Sequence, residues 1–254
     1  MTDETLATQK KDLSNQWKKI GEQLWLKYYK ILFACKDTAA ACFSGNKRTL
    51  HSNIKDELEK QRKAWNGAFY PFYQGYQKIG IHGLRLTEKR IKNYDLQKYL
   101  KSTDTVLDIG CNTGYIALEI SSSITKVQGL EINPCLINVA NLVKEHLKIS
   151  NAEFSTSSFE NFSSKKQYSV ILSLASHETW DNKSTFTFNE YIEKVAKLCL
   201  PRGILVFETH DLRTEDVPRM LSVLQKDFEL EVQKKLEKEH RLMPERMLFV
   251  MRKR

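Results

Sequence analysis

The spacing of apolar positions changes near residue 100 and divides the chain into two parts. Before the change, apolar side chains recur at helical spacing over residues 11–36, and a second helix is predicted over 50–65. After it, short Val/Ile/Leu-rich runs alternate with amphipathic segments, as strands and helices do in α/β proteins. We therefore predict a mainly helical N-terminal extension over 1–98 and an α/β domain over 99–254.

The α/β part is predicted to contain seven strands and four helices. The expected strands are 105–109, 126–131, 151–156, 168–174, 203–209, 228–234 and 246–252, and the expected helices are 114–122, 134–148, 187–198 and 215–226. The early strands are continuous apolar runs, which indicates parallel strands covered on both faces. Only a short connection separates the last two strands, so these are expected to form an antiparallel pair. The pattern predicts a doubly wound sheet.

Residues 65–76, at the end of the extension, are unusually aromatic, and their two glycines and one proline exclude a regular helix. A short helix is expected at 87–94, with Thr87 as its N-cap. Residues 1–100 carry 19 Lys/Arg against 10 Asp/Glu, whereas the remainder carries 21 of each. This basic excess suits either an anionic partner or a lysine-rich solvated surface; alternation of the charge signs favours the surface.

The composition argues against a membrane-spanning or disulfide-rich protein. No apolar run approaches the roughly 20 residues that span a bilayer, and the polar N-terminus does not resemble a signal peptide. Five scattered cysteines lack metal-ligand spacing and are expected to be reduced. A cytoplasmic protein without membrane contact is expected.

The strongest motif lies where the first strand of the α/β part ends, at Asp108-Ile109-Gly110-Cys111-Asn112-Thr113-Gly114. Its turn is Gly-x-Asn-x-Gly, not the Gly-x-Gly-x-x-Gly of dinucleotide binders. A carboxylate at Asp108 would repel a pyrophosphate but suits a cationic ligand. Glu131, at the end of the second strand, is placed to accept two hydrogen bonds from a ribose diol. S-adenosylmethionine, an adenosine with a cationic amino-acid tail, meets both requirements.

From residue 104 to the C-terminus the chain resembles the class I S-adenosylmethionine-dependent methyltransferases. Asp108-x-Gly110-x-Asn112-x-Gly114 corresponds to their first motif, with Asn112 replacing the usual middle glycine. The resemblance implies a Rossmann-like sheet, with Ser158 in the place of a frequent Asp; Phe159 fits an ordinary core aromatic equally well. The implied cofactor-binding residues are Asp108, Gly110, Asn112, Gly114, Glu131, Ile132, Ser158, Phe159 and Leu174, joined by Tyr73 and Arg85 of the extension.

Two His-plus-acid pairs follow the fourth and fifth strands, at His177-Glu178 and His210-Asp211. Imidazole, with an unperturbed pKa of about 6.5, suits proton removal at neutral pH. We predict His177 as the general base, with Glu178 or His210 assisting. Alternatively His177 only orients a ligand, and His210 and Asp211 cap the next helix. These acids and histidines could also form a cation site, but no metal is predicted. The other histidines, His51, His82, His146 and His240, are expected at the surface.

By the same resemblance, the extension is expected to act as a lid over the cofactor. Tyr73, Tyr76 and Trp180 would then line the acceptor pocket, or else pack the extension onto the sheet. Arg85 would hold the cofactor or a substrate carboxylate by a bidentate contact.

Three functions remain open. The favoured one is methyl transfer to a hydroxyl or amine of a small metabolite or sugar. The second is a tRNA-modifying enzyme whose basic extension grips phosphates; residues 85–209 resemble, more distantly, the methyltransferases that finish oxyacetylated wobble uridines. The third is a non-catalytic cofactor-binding scaffold. The sequence does not identify the acceptor or the oligomeric state.

Overall fold

The computed structural model describes residues 24–25, 27–28, 31–33, 35–36, 45–65, 73–178, 184–238 and 244–254. The described residues between 24 and 36 are helical, as expected. Trp180, His240 and residues 66–72 of the aromatic segment lie outside the described residues. Among the helices that are described, none is long and apolar enough to cross a membrane.

The element order confirms the predicted seven strands and four helices. The helices are α1 Gly45–Trp65, α2 Thr87–Asn93, α3 Tyr115–Ile120, α4 Pro134–His146, α5 Phe188–Leu198 and α6 Val217–Asp227. The strands are β1 Gln74–Gly75, β2 Arg85–Leu86, β3 Thr105–Ile109, β4 Lys126–Glu131, β5 Ala152–Thr156, β6 Tyr168–Leu174, β7 Cys199–Glu208, β8 Phe228–Lys235 and β9 Met247–Lys253.

The seven long strands form one sheet in the order β5-β4-β3-β6-β7-β9-β8. All are parallel except β9, which runs antiparallel to both β7 and β8, so the predicted antiparallel pair is confirmed. Asp108 on β3 pairs with Gly129 of β4 on one side and with Leu172 of β6 on the other. The strand order therefore reverses at β3, and ligands bind open α/β sheets at the carboxyl side of such a point.

Both faces of the sheet are covered. Alternate strand residues point to opposite faces: Val106 and Val206 join a core with α3 and α4, which we call the α4-side core. Leu107 and Phe207 join a core with α5 and α6, the α5-side core. By the same alternation, the functional acids Asp108 and Glu208 lie on the α4-side face.

The extension packs directly on the α/β part. Leu50, Ile54 and Leu58 of α1 are buried and belong to the α4-side core. The Asn138 side chain of α4 donates a hydrogen bond to Glu57 Oε2 over 2.9 Å. The division between 98 and 99 stays a prediction, but the described extension shares its core with the sheet.

Two local predictions were wrong. The N-cap of α2 is Leu86, with no side-chain bond, because the Thr87 hydroxyl donates instead to the Gly75 carbonyl at 2.8 Å. His51 is not at the surface: it is buried on the inner side of α1, and its Nε2 lies 2.7 Å from the Ile79 carbonyl oxygen.

Candidate active site

The glycine turn after β3 is held in left-handed backbone geometry. The φ angles are 67° at Gly110, 53° at Asn112 and 68° at Gly114. A Cβ at Gly110 would come within 2.6 Å of the Ser176 Cβ, and one at Gly114 within 2.6 Å of Phe154 Cε1. Both glycines are therefore required by conformation and by space, whereas Asn at position 112 tolerates its φ.

The carboxylate of Glu131 is fixed by the backbone of this turn. The Asn112 amide donates to Glu131 Oε2 over 3.1 Å, and the Asn133 amide donates to Oε1 over 3.0 Å. Burial raises the pKa of Glu131, and the backbone donors partly oppose that rise. The Ile132 amide adds a third backbone contribution that lowers the pKa. A carboxylate offers about four acceptor positions, so Glu131 can still accept a hydrogen bond from a diol.

Asp108 lies beside the turn and is almost fully buried. Burial raises its pKa to about 7; Arg90 opposes the rise and Glu131 adds to it. A positively charged ligand would stabilise the ionised form of this carboxylate. The site thus fits a cationic nucleoside.

Four more of the predicted cofactor residues lie at or just after the ends of β4, β5 and β6. Ile132 lies between Glu131 and Asn133 and is partly buried. The Ser158 hydroxyl accepts a hydrogen bond from the Asn161 amide over 3.2 Å. The Phe159 ring packs 4.9 Å from that of Tyr191 on α5, and Leu174 is buried at the end of β6.

A strained residue directs the chain after β6. Ala175 has a φ of 57°, rare for a residue with a side chain, and its amide donates to the Glu208 carbonyl over 3.0 Å. This bend brings Ser176 against Gly110 and places His177 in the α5-side core. The sequence contains no signal for this bend.

His177 contacts an acid that the sequence analysis missed. Its Nε2 lies 2.8 Å from Glu215 Oε1, and both side chains are nearly fully buried. The other Glu215 oxygen accepts from the Asp211 amide over 2.8 Å. His177 Nδ1 is buried and has no hydrogen-bond partner among the described residues. The contact with Glu215 is therefore an ion-pair distance without hydrogen-bond geometry, since Glu215 Oε1 also forms no hydrogen bond with a described residue. The imidazole lies beside a carboxylate at one nitrogen and is unsatisfied at the other.

The two residues expected to assist His177 differ in burial. His210 is partly buried, and its ring lies 4.9 Å from the His177 ring. Glu178, the next residue in the chain, is exposed. Burial, with contributions from His177 and Arg246, lowers the pKa of His210 to about 4, so it is neutral at physiological pH. Donor atoms of His177, Glu178 and His210 lie within 4.8 Å of one another, so a cation could bridge them.

On the opposite face, arginines surround Glu208 at the end of β7. Arg85 Nη2 donates to Glu208 Oε1 over 2.7 Å, Arg246 Nη1 lies 3.4 Å from the same oxygen, and Arg90 Nη2 lies 3.7 Å from Oε2. Burial would raise the pKa of Glu208, but the guanidiniums hold it at about 2. Burial alone would also raise the pKa of Tyr73, yet the same arginines lower it.

β1 and β2 of the extension pair as a two-stranded parallel sheet. A residue of β1 contacts the glycine turn. The Thr113 hydroxyl donates to Gln74 Oε1 over 2.8 Å. Tyr76 is fully buried, stacks on Tyr115 of α3 and donates to Glu119 Oε2 over 2.7 Å. Tyr76 therefore anchors the extension on α3.

Comparison of the sequence with models of known families identifies the class of protein. Residues 100–246, more than half of the chain, match the family model described as "Methyltransferase domain". The chain belongs to this family of S-adenosylmethionine-dependent methyltransferases. No curated protein sequence matches the chain.

Solved structures share the fold at low identity. The N-methyltransferase NodS from Bradyrhizobium japonicum WM9 is 15% identical, with a TM-score of 0.54 over 65% of this chain and 96% of NodS. An rRNA methylase from Streptococcus thermophilus is 16% identical, with a TM-score of 0.51 over 65% of this chain and 95% of that one. The [4+2]-cyclase SpnF is 12% identical, with a TM-score of 0.56 over 81% of this chain and 94% of that one.

The family is that of an enzyme, so the scaffold alternative is set aside. S-adenosylmethionine is its cofactor, and the residues present fit it: an acceptor for a diol at Glu131, a buried acid with a raised pKa at Asp108, and two positions without side chains at Gly110 and Gly114.

Proposed function

We propose that the enzyme methylates a hydroxyl or amine of a small metabolite or sugar, with His177 as general base. The observation that carries the proposal is the buried pair of His177 Nε2 and Glu215 Oε1, 2.8 Å apart, with His177 Nδ1 left unsatisfied. A base needs one nitrogen oriented by a partner and the other free to take a proton.

The cofactor supplies a methyl group on a cationic sulfur. In the proposed arrangement, Glu131 accepts the ribose hydroxyls and Asp108 faces the cationic part of the ligand. Ile132, Phe159 and Leu174 supply apolar surface beside the nucleoside, and Ser158 offers its hydroxyl.

Glu215 sets the tautomer of His177. Its carboxylate accepts the Nε2 proton, which leaves the lone pair on Nδ1 to receive a proton from the acceptor hydroxyl. The same carboxylate stabilises the imidazolium that results. His210 stays neutral, because its pKa is about 4, and adds no repulsion when His177 becomes charged.

A tRNA acceptor is the second candidate, supported by the basic excess of residues 1–100. Several of those basic groups already have acidic partners. Arg85 and Arg90 are buried around Glu208, and Lys78 Nζ lies 2.8 Å from Glu119 Oε2. These contacts reduce the positive charge available for phosphates, and so favour the small acceptor.

The test is a screen for S-adenosylhomocysteine release, with S-adenosylmethionine and either a metabolite extract or bulk tRNA. We expect release with the metabolite extract, little dependence on added salt, and no loss with a strong chelator. Release only with tRNA, falling steeply as salt rises, would support the tRNA alternative. Loss with the chelator would show that a metal takes part.

A further inference from the structure

His177, Glu178 and His210 form a cluster of candidate metal ligands just after the ends of β6 and β7. One donor atom from each of the three residues lies within 4.8 Å of the donor atoms of the other two. An ion centred between three atoms so placed would lie at most about 2.8 Å from each, whereas Zn²⁺ lies about 2.0–2.2 Å from its nitrogen and oxygen ligands. Each side chain therefore needs to move by less than about 1 Å to bind one ion.

The two histidines each have a ring nitrogen that is available for a metal ion. His177 Nδ1 and His210 Nε2 are buried, and neither forms a hydrogen bond within the described part of the chain. His177 is more than nine-tenths buried, with 8% of the residue exposed. A buried polar atom without a partner costs free energy, and a neutral imidazole nitrogen is a common metal ligand. A bound ion would therefore remove this cost at both rings.

The second nitrogen of His177 lies beside a carboxylate. The distance from His177 Nε2 to Glu215 Oε1 is 2.8 Å. Histidines that bind metals usually have a carboxylate, a backbone carbonyl or a water at the nitrogen that does not bind the metal, and this group orients the ring and raises its basicity. The arrangement that suits a general base at Nδ1 therefore also suits a metal ligand at Nδ1.

The charges near the cluster allow a cation. Glu215 and Glu208 act on His210 in the direction that favours a nearby positive charge, and Arg246 opposes it. Arg246 Nη1 lies 3.4 Å from Glu208 Oε1, which offsets part of the arginine charge. With the carboxylate of Glu178 as a ligand, the cluster can therefore accept a divalent cation.

The cluster extends from the surface to the interior. Glu178 is exposed, His210 is partly buried and His177 is buried. An ion can therefore enter at Glu178 and reach the ring nitrogens after small rotations of the side chains. Two imidazoles and one carboxylate are ligands typical of transition metals such as Zn²⁺, whereas Mg²⁺ and Ca²⁺ take oxygen ligands.

We propose that His177, His210 and Glu178 bind a divalent transition-metal ion such as Zn²⁺, and that the bound ion inhibits methyl transfer. Inhibition follows because the ion occupies the lone pair of His177 Nδ1 that would otherwise receive the proton of the acceptor. The inhibition rests on the proposed function, whereas the binding of the metal does not. No metal was predicted from the sequence, because the ligands follow two separate strands and come together only in the fold.

The test measures Zn²⁺ binding to the full chain by competition with a chromophoric chelator, so it needs no turnover. The parent protein should bind Zn²⁺ at least about tenfold more tightly than His210→Gln or Glu178→Gln, and at least about tenfold more tightly than it binds Mg²⁺. The matched controls are His146→Gln, at a partly buried histidine in the last turn of α4, and Glu193→Gln, at an exposed acid of α5. Both controls should keep the parent affinity for Zn²⁺.

Bound Zn²⁺ should also lower the turnover of the parent enzyme by at least about tenfold, and a strong chelator should restore it. Three results would overturn the proposal: parent-like Zn²⁺ affinity in His210→Gln and Glu178→Gln, equal losses in the two controls, or methyl transfer that is unchanged or faster with Zn²⁺ bound. Unchanged affinity for S-adenosylhomocysteine shows that each variant is folded, and Glu178 is exposed, so its replacement leaves the core intact. If no acceptor is methylated, Zn²⁺ binding can still be measured, so the two proposals fail separately.

Discussion

His177 Nε2 lies 2.8 Å from Glu215 Oε1, both side chains are buried, and the His177 ring packs against Phe188 and Phe207 of the α5-side core. The Glu208–arginine cluster lies at the carboxyl end of β7 on the α4-side face. The two charged groups therefore lie on opposite faces of the sheet, near the ends of β6 and β7. We proposed the first for proton transfer, and the predictions below test it.

Glu215→Gln should lower turnover without weakening cofactor binding. The amide keeps the shape of Glu215 but removes the charge that stabilises a protonated His177, so kcat should fall by about 10- to 100-fold. Steady-state release of S-adenosylhomocysteine measures this. Glu193→Gln, at an exposed acid of α5, is the control and should stay within about twofold of the parent enzyme. Equal losses in both variants would refute the role of Glu215.

Asp108→Asn should abolish the pH dependence of cofactor binding. The pKa of Asp108 is raised to about 7 in the free enzyme. Affinity for S-adenosylmethionine should therefore rise between pH 5.5 and 7 as the carboxylate ionises, and rise less for S-adenosylhomocysteine, which lacks the sulfonium charge. In Asp108→Asn, S-adenosylmethionine should bind about 10- to 100-fold more weakly near pH 7 and without that rise. Calorimetry at each pH measures both ligands; a pH slope retained in the variant would contradict the account.

The same shift affects the stability of the cofactor-free chain. Because its folded pKa is raised, the contribution of Asp108 to stability is full below pH 4, near its unfolded pKa, and is lost as the pH rises to about 7. The difference in free energy of unfolding between the parent and Asp108→Asn should therefore shift in favour of the variant across this range. Urea titrations at several pH values provide the check.

Arg85→Ala should destabilise the fold far more than Lys78→Ala. Arg85 pairs with fully buried Glu208, so its loss should cost about 3 kcal/mol, even with Arg90 and Arg246 still present. Lys78 pairs with Glu119 at a half-exposed position, where removal should cost less than about 1 kcal/mol. Urea unfolding of both variants gives the comparison. Similar small losses would show that Arg85 is not a structural partner of Glu208.

Gly110→Ala should impair cofactor binding and turnover together. The new methyl group would meet the Ser176 Cβ at 2.6 Å and would sit at a φ of 67°, at a backbone cost of about 1–2 kcal/mol. It would displace the bend that carries His177. Ser176→Gly in the same chain removes the clash but not the backbone strain, so it should restore part of the activity. A double variant that is no more active than Gly110→Ala alone would place the damage elsewhere.

The elements that local pattern determines were predictable. Continuous apolar runs separated by amphipathic helices specified the sheet, and the glycine spacing specified the turn. The strand ends were predicted less well. β7 begins at Cys199 rather than at 203, because Cys199 pairs with Tyr168 of β6 before an irregularity in the register. Thr87 failed as a cap because a carbonyl from another strand competed for its hydroxyl.

The pairings that give the site its chemistry were not predictable. His177 is followed directly by Glu178, yet the carboxylate that reaches its ring comes from Glu215, after the next strand. Ala175 has a left-handed backbone conformation that turns the chain just before His177. An alanine in the sequence does not predict that conformation. The contact of Arg246 with Glu208 was not predictable either, because only the pairing of β7 with β9 brings the two residues together.

Replacement of His177 by Ala tests the central claim most directly, with S-adenosylhomocysteine release and S-adenosylmethionine affinity measured on the same preparation. The account predicts that turnover falls by about 10²- to 10⁴-fold while the cofactor Kd stays within about twofold, because His177 lies outside the Asp108–Glu131 cofactor residues. Turnover equal to that of the parent enzyme would contradict it.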